Sequence, residues 1–159
     1  MLHLNLICLG KLKEKYWQSA EAEYLKRLGG FAKINLSELK EESFSGSEPT
    51  ELIKTKEAEK IKKELEKFPN TYIVVLHGAG KTFTSEELAH QIDELANRQI
   101  SDLTFIIGGP LGLHEDILKL ADLKLSLSSL TFTHQLARVV LWEQLYRAAM
   151  INSGRTYHY

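Results

Sequence analysis

Three short segments rich in glycine and hydroxyl residues carry the residue types best suited to ligand chemistry. They span residues 77–81, 108–112 and 128–133, and each follows an apolar run that reads as a strand. Glycines let a backbone approach a ligand closely, and hydroxyl groups both donate and accept hydrogen bonds. The segments therefore predict a site lined by backbone, in which orientation of the reactants is the main catalytic device.

The first segment, His77-Gly-Ala-Gly-Lys-Thr82, partly matches a phosphate-binding loop. That loop needs a glycine five residues before its Gly-Lys pair, so that successive N–H groups can wrap a phosphate. Val75 stands at this position, inside the predicted strand. A glycine-rich turn is the better interpretation, and a nucleotide-binding switch that depends on Lys81 is kept as an alternative.

The second segment, Gly108-Gly-Pro-Leu-Gly112, is not a dinucleotide-binding fingerprint. Pro110 removes a backbone donor and fixes φ, which favours a rigid bend over a cradle at the start of a helix. The glycines on either side allow a ligand to lie close to this bend. A purely structural turn is the alternative interpretation.

The third segment, Leu127-Ser-Ser-Leu-Thr-Phe132, mixes hydroxyl and apolar groups at the end of a predicted strand. It could present backbone N–H and C=O groups to a planar ring that Leu127, Leu130 and Phe132 enclose. The alternative is an ordinary strand-to-helix connection in which Thr131 or Thr133 caps the next helix.

Basic and aromatic groups follow in the last predicted helix and in the tail. His134 and Arg138 are four residues apart and share a helical face, although a capping or interface role for His134 is an alternative. The tail Arg155-Thr-Tyr-His-Tyr159 suits stacking on an unpaired base and contact with phosphate, whereas a frayed terminus is the alternative.

The sequence has no metal-ligand spacing, paired carboxylates or nucleophile elbow, so we expect no metal and no hydrolytic chemistry.

Alternating strand-like and helical patterns must position these segments. The patterns predict strands over residues 2–9, 31–39, 71–76, 103–107 and 123–127, with loops at 40–50 and 77–83. They predict helices over about 16–28, 50–68, 114–121 and 135–150, and one that begins with a capping box at Thr84 and Glu87. We therefore predict an α/β fold with a mostly parallel sheet of about five strands and helices on both faces. Ligands bind beyond the carboxyl ends of such strands.

Composition favours one cytoplasmic domain over residues 1–159. The chain has 159 residues, 43% of them hydrophobic, and a single cysteine, Cys8. This length buries a sizeable core without a disulfide or a metal, and the lone cysteine suits a reducing compartment. We expect no membrane partner and no signal peptide, because no apolar run approaches the roughly 20 residues of a span.

The net charge of −1 conceals an uneven distribution. Residues 1–36 carry six basic and three acidic groups, and residues 126–159 carry three basic groups and one acidic group. Residues 37–125 carry 11 basic and 17 acidic groups. A neutral protein can therefore still present a basic surface to RNA, provided that the ends of two subunits gather around a dimer seam.

The second half of the chain resembles one known family. The residues that carry the resemblance are Phe105-Ile-Ile-Gly-Gly-Pro-Leu-Gly112, Leu125-Ser-Leu-Ser-Ser-Leu-Thr-Phe-Thr-His134, Arg138, Leu145-Tyr-Arg-Ala148 and the terminal Tyr-His pair. Together they resemble the ribosomal RNA large subunit methyltransferase H family, which consists of small SPOUT methyltransferases. The resemblance covers the whole chain and is most specific from about residue 103 onward.

This resemblance implies a C-terminal trefoil knot, a homodimer and S-adenosyl-L-methionine as the methyl donor. The acceptor it implies is N3 of a pseudouridine in 23S ribosomal RNA, in the large subunit of the assembled ribosome. The cofactor contacts that it implies are Leu76, Gly108, Leu127, Ser128, Ser129, Leu130, Thr131 and Phe132.

Methylation of an imide nitrogen requires in-line geometry and loss of the N3 proton. We hypothesise that Arg138 stabilises a phosphate or the developing anion, and that Tyr157 and His158 place the base and accept its proton. A catalytically silent ribosome-binding module with the same fold is the alternative function.

Overall fold

The computed structural model describes residues 1–157, which form five strands and five helices in strict alternation. The strands are β1 Leu2–Leu9, β2 Ala32–Leu39, β3 Tyr72–Thr82, β4 Asp102–Ile107 and β5 Leu123–Ser126. The helices are α1 Lys15–Leu28, α2 Thr50–Leu65, α3 Ser85–Asn97, α4 Glu115–Leu120 and α5 His134–Asn152. The predicted alternation is confirmed.

All five strands belong to one parallel sheet with the order β2-β1-β4-β3-β5. Successive side chains point to opposite faces of a strand, so Leu6 and Ile7 enter two different cores. One core contains residues of α1, α3 and α5, including Trp142, and the other contains residues of α2 and α4, including Ile61. The predicted parallel sheet with helices on both faces is confirmed, and its carboxyl ends share one edge.

Strand β3 is longer than predicted. We expected it to end at Leu76, but it continues to Thr82 through a bulge. Leu125 of β5 pairs with both Leu76 and Lys81, so the four intervening residues are displaced from the ladder. A Cβ at Gly80 would lie 2.6 Å from the Lys124 carbonyl oxygen, which explains why only glycine fits there. The glycines thus permit a bulge within the strand.

The predicted caps and the loop before α2 agree with the structure. The Thr84 hydroxyl accepts from the Glu87 N–H at 3.1 Å, and Glu87 accepts from the Thr84 N–H at 2.7 Å. Thr133, the second of the two proposed caps, accepts from the Leu136 N–H at 3.3 Å and begins α5. Residues 40–49 carry no helix or strand, and α2 ends at Leu65, three residues before its predicted end.

Within residues 1–157, no helix is both long and apolar enough to span a bilayer.

Candidate active site

The three glycine and hydroxyl segments meet in one cleft of about 940 Å³ at the carboxyl edge of the sheet. Leu76, His77 and Gly78 lie at the bulge of β3, residues 107–113 begin at the last residue of β4, and residues 125–135 run from β5 into α5. The sequence-predicted cofactor residues all line this cleft, namely Leu76, Gly108, Leu127, Ser128, Ser129, Leu130, Thr131 and Phe132. Their contact with a cofactor stays a prediction, whereas their convergence follows directly from the parallel sheet.

Glycines set the shape of the loop after β4. A Cβ on Gly108 would lie 2.9 Å from Leu113 Cγ, so a side chain there would collide with the core. Gly112 has φ +80°, and its N–H donates to the Gly109 carbonyl at 3.0 Å. Because the loop turns tightly, its backbone forms one wall of the cleft.

A hydroxyl-mediated turn shapes the wall after β5. The buried Ser126 hydroxyl donates to the Ser128 carbonyl at 2.9 Å, and the Ser128 hydroxyl accepts from the Leu130 N–H at 3.0 Å. This turn leaves Leu130 74% exposed, although it is a large apolar side chain. Together with the half-buried Phe132, it offers an apolar surface to a ligand in the cleft.

The segment after Leu76 contributes less to the cleft than we expected. His77 and Gly78 line it, and His77 Nδ1 accepts from the Ala79 N–H at 3.2 Å. Lys81 instead pairs with β5, and its ammonium lies 4.6 Å from the centre of the Phe83 ring. Lys81 is not among the residues that line the cleft, which counts against the phosphate-loop alternative.

Arg138 lies in a buried ion cluster and is only 4% exposed. Its Nε and Nη2 both donate to the Glu21 carboxylate, the latter at 2.7 Å, and its Nη1 donates to Glu38 at 2.8 Å. Burial lowers the pKa of Arg138, but its hydrogen bonds to Glu21 and Glu38 outweigh that effect and raise it above the ordinary value. The guanidinium is therefore charged and held by two carboxylates.

Two further side chains complete this cluster. Trp142 Nε1 donates to Glu21 at 3.0 Å, and Arg138 Nη1 lies 3.3 Å from the Cys8 sulfur. Burial raises the pKa of the Cys8 thiol to about 12, although the positive charge of Arg138 acts in the opposite direction. Cys8 is therefore a neutral thiol.

Sequence reasoning missed Glu21 and Glu38 as partners of Arg138. One signal was available for Glu21, because it falls among Trp17, Tyr24 and Leu28 on the apolar stripe of α1. A carboxylate inside such a stripe is buried on folding and requires a partner. Glu38 gives no comparable signal, since it is one of several charged residues near the end of β2.

The C-terminal tail folds back along α5, so that Tyr157 lies beside the middle of this helix. The Tyr157 hydroxyl donates to Glu143 at 3.0 Å, and the Arg147 guanidinium lies 4.0 Å from the centre of the Tyr157 ring. Burial and the bond to Glu143 raise the pKa of Tyr157 to about 12. Glu143 follows the cleft residue His134 by nine positions, so about 14 Å of helix separates the contact of Tyr157 from the cleft. His158, the third predicted catalytic residue, lies outside the described residues.

In the part of the chain that the structure describes, no side chains are arranged to bind a metal ion. No group of three or more His, Cys, Asp or Glu side chains is placed there to hold an ion. The cleft instead offers backbone groups, hydroxyls and apolar walls, which suit an organic ligand.

A parallel sheet with a glycine- and hydroxyl-lined cleft at its carboxyl edge is typical of α/β proteins that bind a small-molecule ligand. The family model described as "Predicted SPOUT methyltransferase" matches residues 2–158, so the chain belongs to the SPOUT methyltransferase family. The resemblance predicted from the motifs is confirmed.

Particular relatives make the placement more specific. The chain is 45% identical over 161 residues to "Ribosomal RNA large subunit methyltransferase H" of Desulforamulus reducens, covering 99% of each chain. It is 46% identical over 160 residues to the protein of the same name from Clostridium novyi, again covering 99% of each. A solved structure, a "probable methylase family protein" from Haemophilus influenzae Rd KW20, aligns with a TM-score of 0.54 and 13% identity. It covers 99% of this chain and 70% of that one, and shows the fold alone.

Proposed function

We propose that this protein transfers a methyl group from S-adenosyl-L-methionine to large-subunit ribosomal RNA. The acceptor is N3 of a pseudouridine in 23S RNA within the assembled ribosome. The observation that carries the proposal is the convergence of all eight predicted cofactor residues on one cleft. Full-length identity of about 45% to relatives named for this activity supports the choice of substrate class.

The cleft has the size and lining that such a cofactor needs. Its volume of about 940 Å³ lies in the range of roughly 300–1,000 Å³ that small-molecule sites occupy. Gly108 and Leu130 both line the cleft, so a planar ring can lie between the loop backbone and the Leu130 side chain. Residues 127–132 supply hydroxyl and backbone groups to the same ligand. When bound, the cofactor supplies an electrophilic methyl group.

The chain's own residues orient the acceptor and manage its proton. The proposed role of Arg138 is to stabilise a substrate phosphate or the developing anion. Glu38 is the partner that such an anion would displace, since its side chain is 29% exposed and that of Glu21 only 9%. Tyr157 and His158 are proposed to place the base and accept the N3 proton.

Stacked arginine and aromatic side chains support an RNA partner. The Arg27 guanidinium lies 5.9 Å from the ring centre of Tyr24 on the same helix, and Arg155 lies 5.3 Å from that of Phe31. Such groups can stack on bases and contact phosphates. The two basic sections of the sequence also adjoin, because α1 and α5 pack against each other. Arg138 is buried with two carboxylates, so the proposed basic surface consists of the other basic groups of these two sections.

A homodimer belongs to the same proposal. Large apolar side chains remain exposed near the cleft and on α1, among them Leu130 at 74% and Tyr16 at 64%. Tyr157 contacts Glu143 at the middle of α5 and is not among the residues that line its own cleft, which favours a tail that completes the partner's site. We further propose that the chain is a single cytoplasmic domain with a C-terminal trefoil knot, which an experimental trace of the chain would test.

Methyl transfer from labelled cofactor to assembled ribosomes, separated subunits and naked RNA tests the activity. We expect incorporation into assembled ribosomes, at one pseudouridine that mapping identifies. Cosedimentation with ribosomes without incorporation would favour the silent binding module instead. Truncation after Gly154 should abolish transfer and leave cofactor binding intact. Unchanged transfer would refute the role of the tail, and loss of cofactor binding would assign the tail to the cofactor site or to folding.

A further inference from the structure

A second cleft of about 600 Å³ adjoins the first, and Pro110 and Leu111 line both. Its other walls come from the segment before α2, including the exposed Phe44, and from α2 itself, including Ile53 and Glu57. Of the residues predicted to bind cofactor or perform catalysis, those within residues 1–157 do not line it. The proposed methyl transfer therefore leaves this cleft without a function.

Glu57 is the unusual group in this cleft, because it is a carboxylate that is only 4% exposed. One of its oxygens, Oε1, accepts from the Glu42 N–H at 3.2 Å. The other, Oε2, is buried and has no hydrogen-bond partner within residues 1–157. Burial raises the pKa of Glu57. A buried polar atom without a partner is unfavourable and rare in folded proteins, so this oxygen requires an explanation.

The neighbouring groups do not satisfy Oε2. Lys60, the cation of the same cleft on α2, has its ammonium 2.7 Å from Glu42 Oε1 and 2.8 Å from the Lys40 carbonyl oxygen. On another side lies Gly109, where an added Cβ would be 3.7 Å from both Glu57 oxygens. The Glu57 carboxylate is therefore covered by the backbone of Gly109, which has no side chain. The Lys60 ammonium contacts Glu42 and the Lys40 carbonyl instead of Glu57.

The charge of the cleft favours a cation. Glu41, Glu42 and Glu57 outnumber Lys40 and Lys60, which leaves one negative charge in excess. Phe44 is 53% exposed and, with Ile53 and Leu111, offers an apolar surface beside that charge. An alkyl chain with a cationic end matches both properties, as lysine side chains do when they lie along apolar surfaces.

We infer that the second cleft binds an ammonium or guanidinium group, which donates an N–H to Oε2 of Glu57 while its alkyl chain contacts Phe44 and Leu111. Residues 40–44 form one wall of this cleft and carry no helix or strand. The same chemistry belongs to free polyamines and to the lysine or arginine side chains of a protein partner. Through Leu111, an occupant would also contact the loop of the first cleft.

Nuclear magnetic resonance of the full-length labelled protein tests the site directly. Titration with n-butylammonium should shift the backbone amides of Glu42, Phe44 and Leu111. n-Butyltrimethylammonium has the same charge and the same alkyl chain but no N–H, and it should bind at least about tenfold more weakly, because a charge-assisted hydrogen bond is lost. Equal binding of the two cations, or no shift in these amides, would overturn the inference.

Glu57→Gln removes the charge and replaces Oε2 or Oε1 by an amide donor. We expect it to weaken butylammonium binding about tenfold or more. Glu59→Gln, an exposed glutamate two residues along α2, is the matched control and should bind as the wild type does. Wild-type affinity in Glu57→Gln would refute the site. If Glu57→Gln does not give a folded amide spectrum, the comparison of the two cations on the wild type decides.

Two further probes separate the sources of the cation. Tighter binding of spermidine than of a lysine-containing peptide supports a free polyamine, and the reverse order supports a protein partner. The peptide should lose its affinity when its lysine is acetylated, and retained affinity would refute recognition of the ammonium. These experiments measure binding without methyl transfer, so they succeed or fail independently of the proposed activity.

Discussion

Glu21→Gln should destabilise the protein far more than an ordinary surface substitution does. The carboxylate of Glu21 accepts from Arg138 Nε and Nη2 and from Trp142 Nε1. Glutamine has the same shape but only one acceptor oxygen. In either orientation, its NH₂ group faces at least one buried donor that previously had an acceptor.

The magnitude follows from the burial of the pair. The side chains of Arg138 and Glu21 are 5% and 9% exposed, so water cannot replace the lost acceptor. Removing one partner of a buried ion pair costs about 3–5 kcal/mol, because a buried charge is left uncompensated. At about 2–4 °C per kcal/mol for a chain of this size, the melting temperature should fall by roughly 6–20 °C.

Urea unfolding at a fixed protomer concentration, followed by tryptophan fluorescence, measures this effect. The matched control is Glu23→Gln on the same helix, which removes an exposed pair with Arg27 at 2.7 Å. We expect the control to cost less than about 0.5 kcal/mol. If Glu21→Gln lost no more than about 1 kcal/mol, the cluster would not contribute as its geometry indicates.

Three further predictions concern the fold. Gly80→Ala should lower the free energy of unfolding in urea by about 1–3 kcal/mol, because the added Cβ would lie 2.6 Å from the Lys124 carbonyl oxygen. Gly78→Ala is the control and should cost little, because a Cβ there meets open space. Equal costs would contradict this packing. Burial raises the pKa of Glu57, so its own contribution to stability is lost as the pH rises above about 4. Relative to the wild type, Glu57→Gln should therefore be most favourable at the higher pH, and a pH-independent difference in unfolding free energy would refute this. Because burial raises the pKa of Cys8 to about 12, its thiol should react with iodoacetamide at least about a hundredfold more slowly in the folded protein than in the urea-unfolded protein. Comparable rates in the two states would show that the thiol is accessible.

Local patterns were sufficient to predict the elements that local physics determines. The capping box at Thr84 and Glu87 and the parallel sheet both follow from short-range spacing and agree with the structure. The end of β3 does not follow from such patterns. Glycine signals a turn in sequence, yet at Gly80 it permits close approach to β5, whose position only the sheet defines.

For the candidate site too, some parts could be predicted from local sequence patterns and others could not. The three segments of the cleft could be located, because parallel strands bring their carboxyl ends to one edge. The partners of Arg138 could not be located, since Glu21 is 117 residues away and the chain between them carries no pattern that fixes this distance. The unpartnered oxygen of Glu57 likewise arises from tertiary packing around α2.

The separation between Glu21 and Arg138 also has a consequence for biosynthesis. Translation adds about 5–20 residues per second, so roughly 6–23 seconds pass between these two residues, which are 117 positions apart. During this interval β1 can pair with β2, but its other neighbour, β4, is not made until residue 102. The nascent chain therefore keeps an unpaired, apolar strand edge for seconds, and a chaperone that shields this edge would raise the yield of folded protein.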